Sequence, residues 1–290
     1  MNHNNNTTEP KLLRYDISNN ITAFTTTRKG GYSFGNYASF NANHYCGDNP
    51  ESVEKNRQLL AKALGITTQQ LIIPHQTHST NVLHIDSVIL SELNKQHSES
   101  RKQYDNKENT QVPTPEQLEG VDATITNIPG ICLCISTADC IPILLYDEKH
   151  KAAAAIHAGW RGTLGRIAEA TLDLMKKAFG TEGQDCKAVI GPGISLDSFE
   201  VGDEVFDAFM AEGFNMELIA RKYPCNDERK EAWHIDLWEA NKQQLLLKGL
   251  LPENVHLAGI CTYKQHDDFF SARRLGIKSG RLLTGIIIRE

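Results

Sequence analysis

Between Val121 and His157 the chain carries four short apolar segments, Val121–Asn127, Ile131–Thr137, Ile141–Asp147 and Ala152–His157. Pro-Gly, Ala-Asp and Glu-Lys-His turns separate them. Each is too short for an ordinary helix, and their β-branched and small apolar residues read as strands. Further strands are expected at 20–27, Leu71–Ile73, Asn81–Asp86, Lys187–Gly191, Val255–Ile260 and Thr284–Arg289. Helices are expected from Asp48-Asn49-Pro50 to Leu64, where Gly65 stops the run, and near 202–212. Another spans 164–179, capped by Thr163 and closed by Gly180. Asp236 and Glu239 form a capping box for a helix to Lys248, closed by Gly249. Clustered strands without strictly alternating helices favour an α+β fold over a doubly wound parallel sheet.

Residues 1–19 are read as a mobile N-terminal tail, and 20–290 as one domain. Leu93 and Val112 are nearly the only aliphatic residues between Glu92 and Gln117. The 92–118 segment therefore reads as a long polar surface loop, dispensable for folding.

Composition narrows the function classes. No apolar run approaches the roughly 20 residues that span a bilayer. The Asn/Thr-rich start lacks the apolar core of an export signal. A net charge of −6 argues against a broad nucleic-acid surface and leaves room for a local basic pocket. The 7 cysteines include no CxxC pair and no disulfide-framework spacing, which fits a reducing, cytoplasmic compartment. A small-molecule substrate is the expected partner. Nothing in charge or patterning defines a subunit interface.

Four polar clusters end apolar strands: His75-Gln76-Thr77-His78, Thr137-Ala138-Asp139-Cys140, His157-Ala158-Gly159-Trp160-Arg161-Gly162 and Phe269-Phe270-Ser271-Ala272-Arg273-Arg274. Histidine with cysteine suits a transition metal, and three protein ligands would leave a fourth position open for catalysis. Their separation along the chain is not that of a zinc finger, and Cys140 and His157 also fit as buried core residues. Gly159 and Gly162 flank Arg161 ahead of a helix, where a phosphate or carboxylate can approach backbone N–H groups. The same residues also suffice for a strand-to-helix turn. Arg28 before Gly30-Gly31, and Arg273-Arg274, are weaker anion candidates.

Taken together, the clusters resemble the bacterial YfiH-like proteins, the multicopper polyphenol oxidase (laccase) domain family. The matching residues include Thr26-Thr27-Arg28-Lys29-Gly30-Gly31, Asn41, Gly47-Asp48, Asn56-Arg57, Gln76-Thr77-His78 and Asp122-Ala123. They continue through Ala138-Asp139-Cys140-Ile141-Pro142, His157 to Gly162, Gly191-Pro192, Asp236-Leu237 and Phe269 to Arg274. The resemblance implies one α+β domain with a mixed β core layered by helices, similar to a bacterial toxin fold with a cysteine–histidine site. It implies zinc, with copper as the alternative, on His78, Cys140 and His157. The run from Gly191 to Val201 departs from the pattern, lacking a cysteine and a tyrosine that members often carry.

The implied activity is purine nucleoside metabolism: phosphorolysis of adenosine, inosine, guanosine and methylthioadenosine, and deamination of adenosine. Asp139, beside a metal ligand, is then the candidate proton shuttle. Arg161 is a catalytic and phosphate-binding candidate, and Arg28 and Asn41 are further substrate-binding candidates. The alternatives are a hydrolase editing a cell-wall precursor, a copper-dependent phenol oxidase, and a non-catalytic zinc protein.

Overall fold

The computed structural model describes residues 9–104, 115–225 and 230–290. The chain begins with β1 (Leu12–Tyr15), β2 (Ile21–Thr26), α1 (Pro50–Leu64), β3 (Leu71–Ile72), β4 (Val82–His84) and α2 (Ser87–Tyr104). It continues with β5 (Ala123–Thr126), β6 (Cys132–Thr137), β7 (Ile141–Asp147), β8 (Ala152–Ala158), α3 (Trp160–Leu164), α4 (Ile167–Phe179) and β9 (Cys186–Ile190). Then come β10 (Glu200–Val201), α5 (Asp203–Ala211), α6 (Met216–Ile219), β11 (Ala220–Pro224) and β12 (Glu231–Ile235). The last elements are α7 (Leu237–Leu247), β13 (Val255–Leu257), α8 (Ala272–Leu275) and β14 (Leu282–Ile288).

Two mixed sheets form the centre, in the orders β1-β2-β14-β6-β3 and β13-β9-β7-β8-β5-β4. A small sheet, β10-β12-β11, stands beside them. The side-chain alternation of β7 shows how the layers are built. Leu144 and Tyr146 join Leu133, Ile135 and Ile286 of the other sheet in a core between the two. Ile143 and Leu145 point the opposite way and pack with Ile167, Leu172 and Leu245 of α4 and α7. On the far side, Leu60, Ala61 and Leu64 of α1 cover Phe24, Cys132, Leu283 and Ile287. The result is helix, sheet, sheet, helix, with both sheets covered on both faces. This is the expected α+β architecture.

Local signals explain most boundaries. The Asn49 side chain accepts from the Ser52 N–H, Pro50 fills the first helical position, and Gly65 closes α1 in the left-handed region. Asp236 caps α7 by accepting from the Glu239 N–H.

Three expectations need correction. Leu12–Tyr15 is not tail: β1 pairs antiparallel with β2, and Tyr15 and Ile17 are buried in the inter-sheet core. The 164–179 helix is two helices. Thr163 lies inside α3, and Arg166, at φ 61, breaks the run before α4. Gly165 lies there against Thr80, whose Cγ2 would be 2.6 Å from an added Cβ. Finally, 92–118 is not a loop throughout. Helix α2 reaches Tyr104, Leu93 and Leu118 are buried in the inter-sheet core, and Gln117 Nε2 donates to Glu92 Oε2 at 3.0 Å. Residues 105–114 lie outside the described residues.

Candidate metal centre and its pocket

The fold brings three strand ends together. His78 lies in the β3–β4 connection, Cys140 ends the tight turn between β6 and β7, and His157 is the penultimate residue of β8. One ligand atom from each lies within 4.8 Å of the others. Among the described residues, this is the one such group of three or more His, Cys, Asp or Glu side chains. His78 sits at φ 62 and Asp139, which shapes the Cys140 turn, at φ 83. Both left-handed conformations are costly for non-glycine residues and need surrounding support.

Asp122, directly before β5, supplies much of that support. Its carboxylate is fully buried. Oδ1 accepts from the His78 N–H at 3.0 Å and from His157 Nδ1 at 2.7 Å. Oδ2 accepts from the Thr77 N–H at 3.1 Å, the Ser79 N–H at 2.8 Å and the Ser79 hydroxyl at 2.7 Å. One side chain therefore fixes the His78 backbone and leaves His157 Nε2 as the outward donor. Gln76 braces the same connection from the other side. It exchanges bonds with the Ser136 main chain, donating to its carbonyl at 2.9 Å and accepting from its N–H at 2.7 Å.

The electrostatics favour a deprotonated sulfur. Burial alone raises the Cys140 thiol, but the charge of His157 and the hydrogen bonds of His157 and His78 outweigh it and bring the thiol down to about 6. Burial alone lowers His157, while Cys140 and Asp122 lift it to about 9. A thiolate between two imidazoles is a donor set suited to zinc. Gly159 packs directly on the centre: an added Cβ would fall 2.9 Å from His78 Cδ2 and 3.0 Å from Cys140 Sγ.

The centre opens on a cavity of about 550 Å³. Its walls include Asn43, Tyr45, His75, Phe199, Arg273 and Arg281. Tyr45 and His75 stack with ring centroids 4.4 Å apart, and His75 Nδ1 bonds Glu119 Oε1 at 2.7 Å. The divergent run after Gly191-Pro192 contributes Ile194 and Phe199 to the wall.

The remaining candidates separate. Asp139 lines the cavity, but both its oxygens are engaged. Oδ1 accepts from Thr262 Oγ1 at 2.7 Å, and Oδ2 from Ser271 Oγ at 3.0 Å and the Arg273 N–H at 2.7 Å. Arg161 is not brought to the cavity wall: it is exposed, with its guanidinium 4.1 Å over the Trp160 ring. Arg28 donates to the carbonyls of Ala38 at 2.9 Å and His266 at 2.8 Å, and packs over Phe270. Asn41 is fully buried behind the cavity, bonded to Asp48 at 2.9 Å and to the Arg281 N–H at 3.1 Å. Sequence reasoning gave no role to Asp122, Tyr45 or Arg281. Asp122 stood within the matching residues, and only its partners reveal its part.

A family model described as multi-copper polyphenol oxidoreductase laccase matches residues 22–289. The chain is 50% identical over 287 residues to a Bacteroides thetaiotaomicron protein named purine nucleoside phosphorylase, covering 98% of each. It is 39% identical to adenosine deaminase RL5 of an unknown prokaryotic organism, over 92% of this chain and 93% of that protein. The crystal structure of YlmD from Geobacillus stearothermophilus superposes with a TM-score of 0.81 at 28% identity, covering 96% of each chain. The chain thus belongs to the multi-copper polyphenol oxidoreductase laccase family, the YfiH-like proteins.

Proposed function

We propose that this protein is a zinc-dependent purine nucleoside phosphorylase that also deaminates adenosine. The observation that carries the reading is a three-donor His–Cys–His centre opening on a cavity of about 550 Å³, a volume that suits a nucleoside. Relatives named purine nucleoside phosphorylase and adenosine deaminase support the substrate class. The donor set supports zinc over copper, because a multicopper oxidase needs several copper sites and the described residues hold one three-donor group. A structural zinc would call for a fourth protein ligand.

When bound, zinc supplies Lewis-acid chemistry beside the substrate. The residues of the chain do the rest. Asp122 holds the Nδ1–H of His157 and the main chain of His78, so both imidazoles present fixed donors. The stacked Tyr45–His75 pair offers an aromatic face to a purine. In phosphorolysis the C1′–N9 bond breaks, a phosphate oxygen bonds C1′, and the purine leaves with a proton. In deamination water replaces the 6-amino group, releasing ammonia. Inosine, guanosine and methylthioadenosine are the other expected phosphorolysis substrates.

A nucleoside panel, read by product chromatography with and without phosphate, tests the proposal. Adenosine should yield adenine and ribose 1-phosphate only with phosphate, and inosine in either case. Oxidation of phenols with no nucleoside turnover would reject the reading.

A further inference from the structure

Arg273 and Arg281 both line the cavity that holds His78, Cys140 and His157. Among the described residues, neither guanidinium is paired with a carboxylate. Arg281 is anchored instead by main-chain carbonyls. Nη1 donates to Ser279 at 2.7 Å and Gly280 at 3.1 Å, and Nη2 to Ile277 at 2.9 Å. Its own N–H donates to the buried Asn41 Oδ1 at 3.1 Å. These acceptors fix the group without cancelling its charge. They leave the Nε–H and the second Nη2–H without a protein acceptor among the described residues, and such a pair of N–H groups can meet two oxygens of one anion. Arg273 is held by Glu200 O at 3.2 Å and lies 5.6 Å from the centre of the Phe199 ring, with Nε and Nη1 left over. The acid on the same wall, Asp139, spends both oxygens on Thr262, Ser271 and the Arg273 N–H. A chain of net charge −6 thus places in one cavity two guanidiniums that have no carboxylate partner among the described residues.

We infer that Arg273 and Arg281 form the oxyanion-binding pole of the cavity and hold inorganic phosphate as the second substrate. The inference rests on the proposed phosphorolysis and replaces Arg161 and Arg28, which stand outside the cavity, as the phosphate contacts. Arg281 is the stronger member because its guanidinium is anchored at three carbonyls.

The test compares Arg281→Met, Arg281→Lys, Arg273→Met and Arg161→Met in adenosine phosphorolysis, with phosphate and adenosine varied separately. Arg281→Met should raise the phosphate KM about 10- to 100-fold, as expected for loss of charge-assisted bonds. The adenosine KM should move far less, and Arg281→Lys should recover only part of the loss. An unchanged phosphate KM in both Arg273→Met and Arg281→Met overturns the inference. So does a rise confined to Arg161→Met. A second arm covers variants without measurable turnover: thermal melting of the purified holoproteins with inorganic phosphate or AMP. The wild type should be stabilised by phosphate, and Arg281→Met should lose that shift. A wild-type shift retained by Arg281→Met, or a shift with AMP and none with phosphate, overturns the inference. If the wild type releases no ribose 1-phosphate, the proposed function fails, and the melting arm still decides the arginine pair.

Discussion

Replacing Asp122 with asparagine removes one acceptor oxygen from a carboxylate that serves two of the three metal donors. The wild-type side chain accepts from three main-chain N–H groups, one hydroxyl and one imidazole. Asparagine brings one oxygen and an NH2 group, so one side of this arrangement must face a donor with a donor. With the NH2 toward Thr77 and Ser79, two main-chain N–H groups are orphaned, at about 1–3 kcal/mol each. With the NH2 toward His157, the imidazole can accept at Nδ1 by moving its proton to Nε2. That tautomer blocks the nitrogen expected to bind metal. The second orientation orphans one main-chain N–H, that of His78, instead of two, so the main damage falls on metal binding. Loss of an outer partner of a metal-bound histidine typically lowers affinity about 10- to 100-fold. Competition with a chromophoric chelator measures zinc affinity, and circular dichroism checks the fold. A folded Asp122→Asn protein that binds zinc within about twofold of wild type would refute the tautomer argument.

Gly159→Ala places a methyl 2.9 Å from His78 Cδ2 and 3.0 Å from Cys140 Sγ, so chelator competition should show about tenfold weaker zinc binding. Wild-type zinc affinity would show that the centre can open around a Cβ. Leu93→Ala, in the segment that looked like a loop, should cost about 2–4 kcal/mol by urea denaturation, because the side chain is buried between the sheets. An unchanged midpoint would return it to the surface. Asp139→Ala should lower stability by at least about 1–3 kcal/mol in urea denaturation, since the Arg273 N–H and the Thr262 and Ser271 hydroxyls lose their acceptor. Unchanged stability with about 10²–10⁴-fold slower turnover would instead make Asp139 the proton shuttle.

The strands were legible in the sequence wherever short apolar runs met turn residues. Ile141–Asp147 has the expected bounds, and α1 starts at the Pro50 that signalled it. Elements whose limits depend on distant contacts were not. Strand β1 is four residues long and gains its meaning from pairing with β2. The α3–α4 break sits where Gly165 must clear Thr80, a contact that local propensity does not encode. Helix α2 begins at Ser87 with Val88, Ile89 and Leu90, so reading polarity from Glu92 onward cut it in mid-course. The metal ligands were legible through their resemblance to a family pattern, because no spacing rule joins His78, Cys140 and His157. Arg161 stood out for its flanking glycines, yet α3 turns it outward over Trp160. Arg281 stood in an unremarkable polar stretch and enters the cavity wall through Asn41 and the carbonyls of its own loop.

Metal content and adenosine turnover, measured on the same preparations of wild type and Cys140→Ala, test the central claim most directly. The wild type should carry about one zinc per chain, since one three-donor centre is present among the described residues. Cys140→Ala should lose most of that zinc and both activities together. A zinc-free Cys140→Ala protein that still converts adenosine at the wild-type rate would contradict the account.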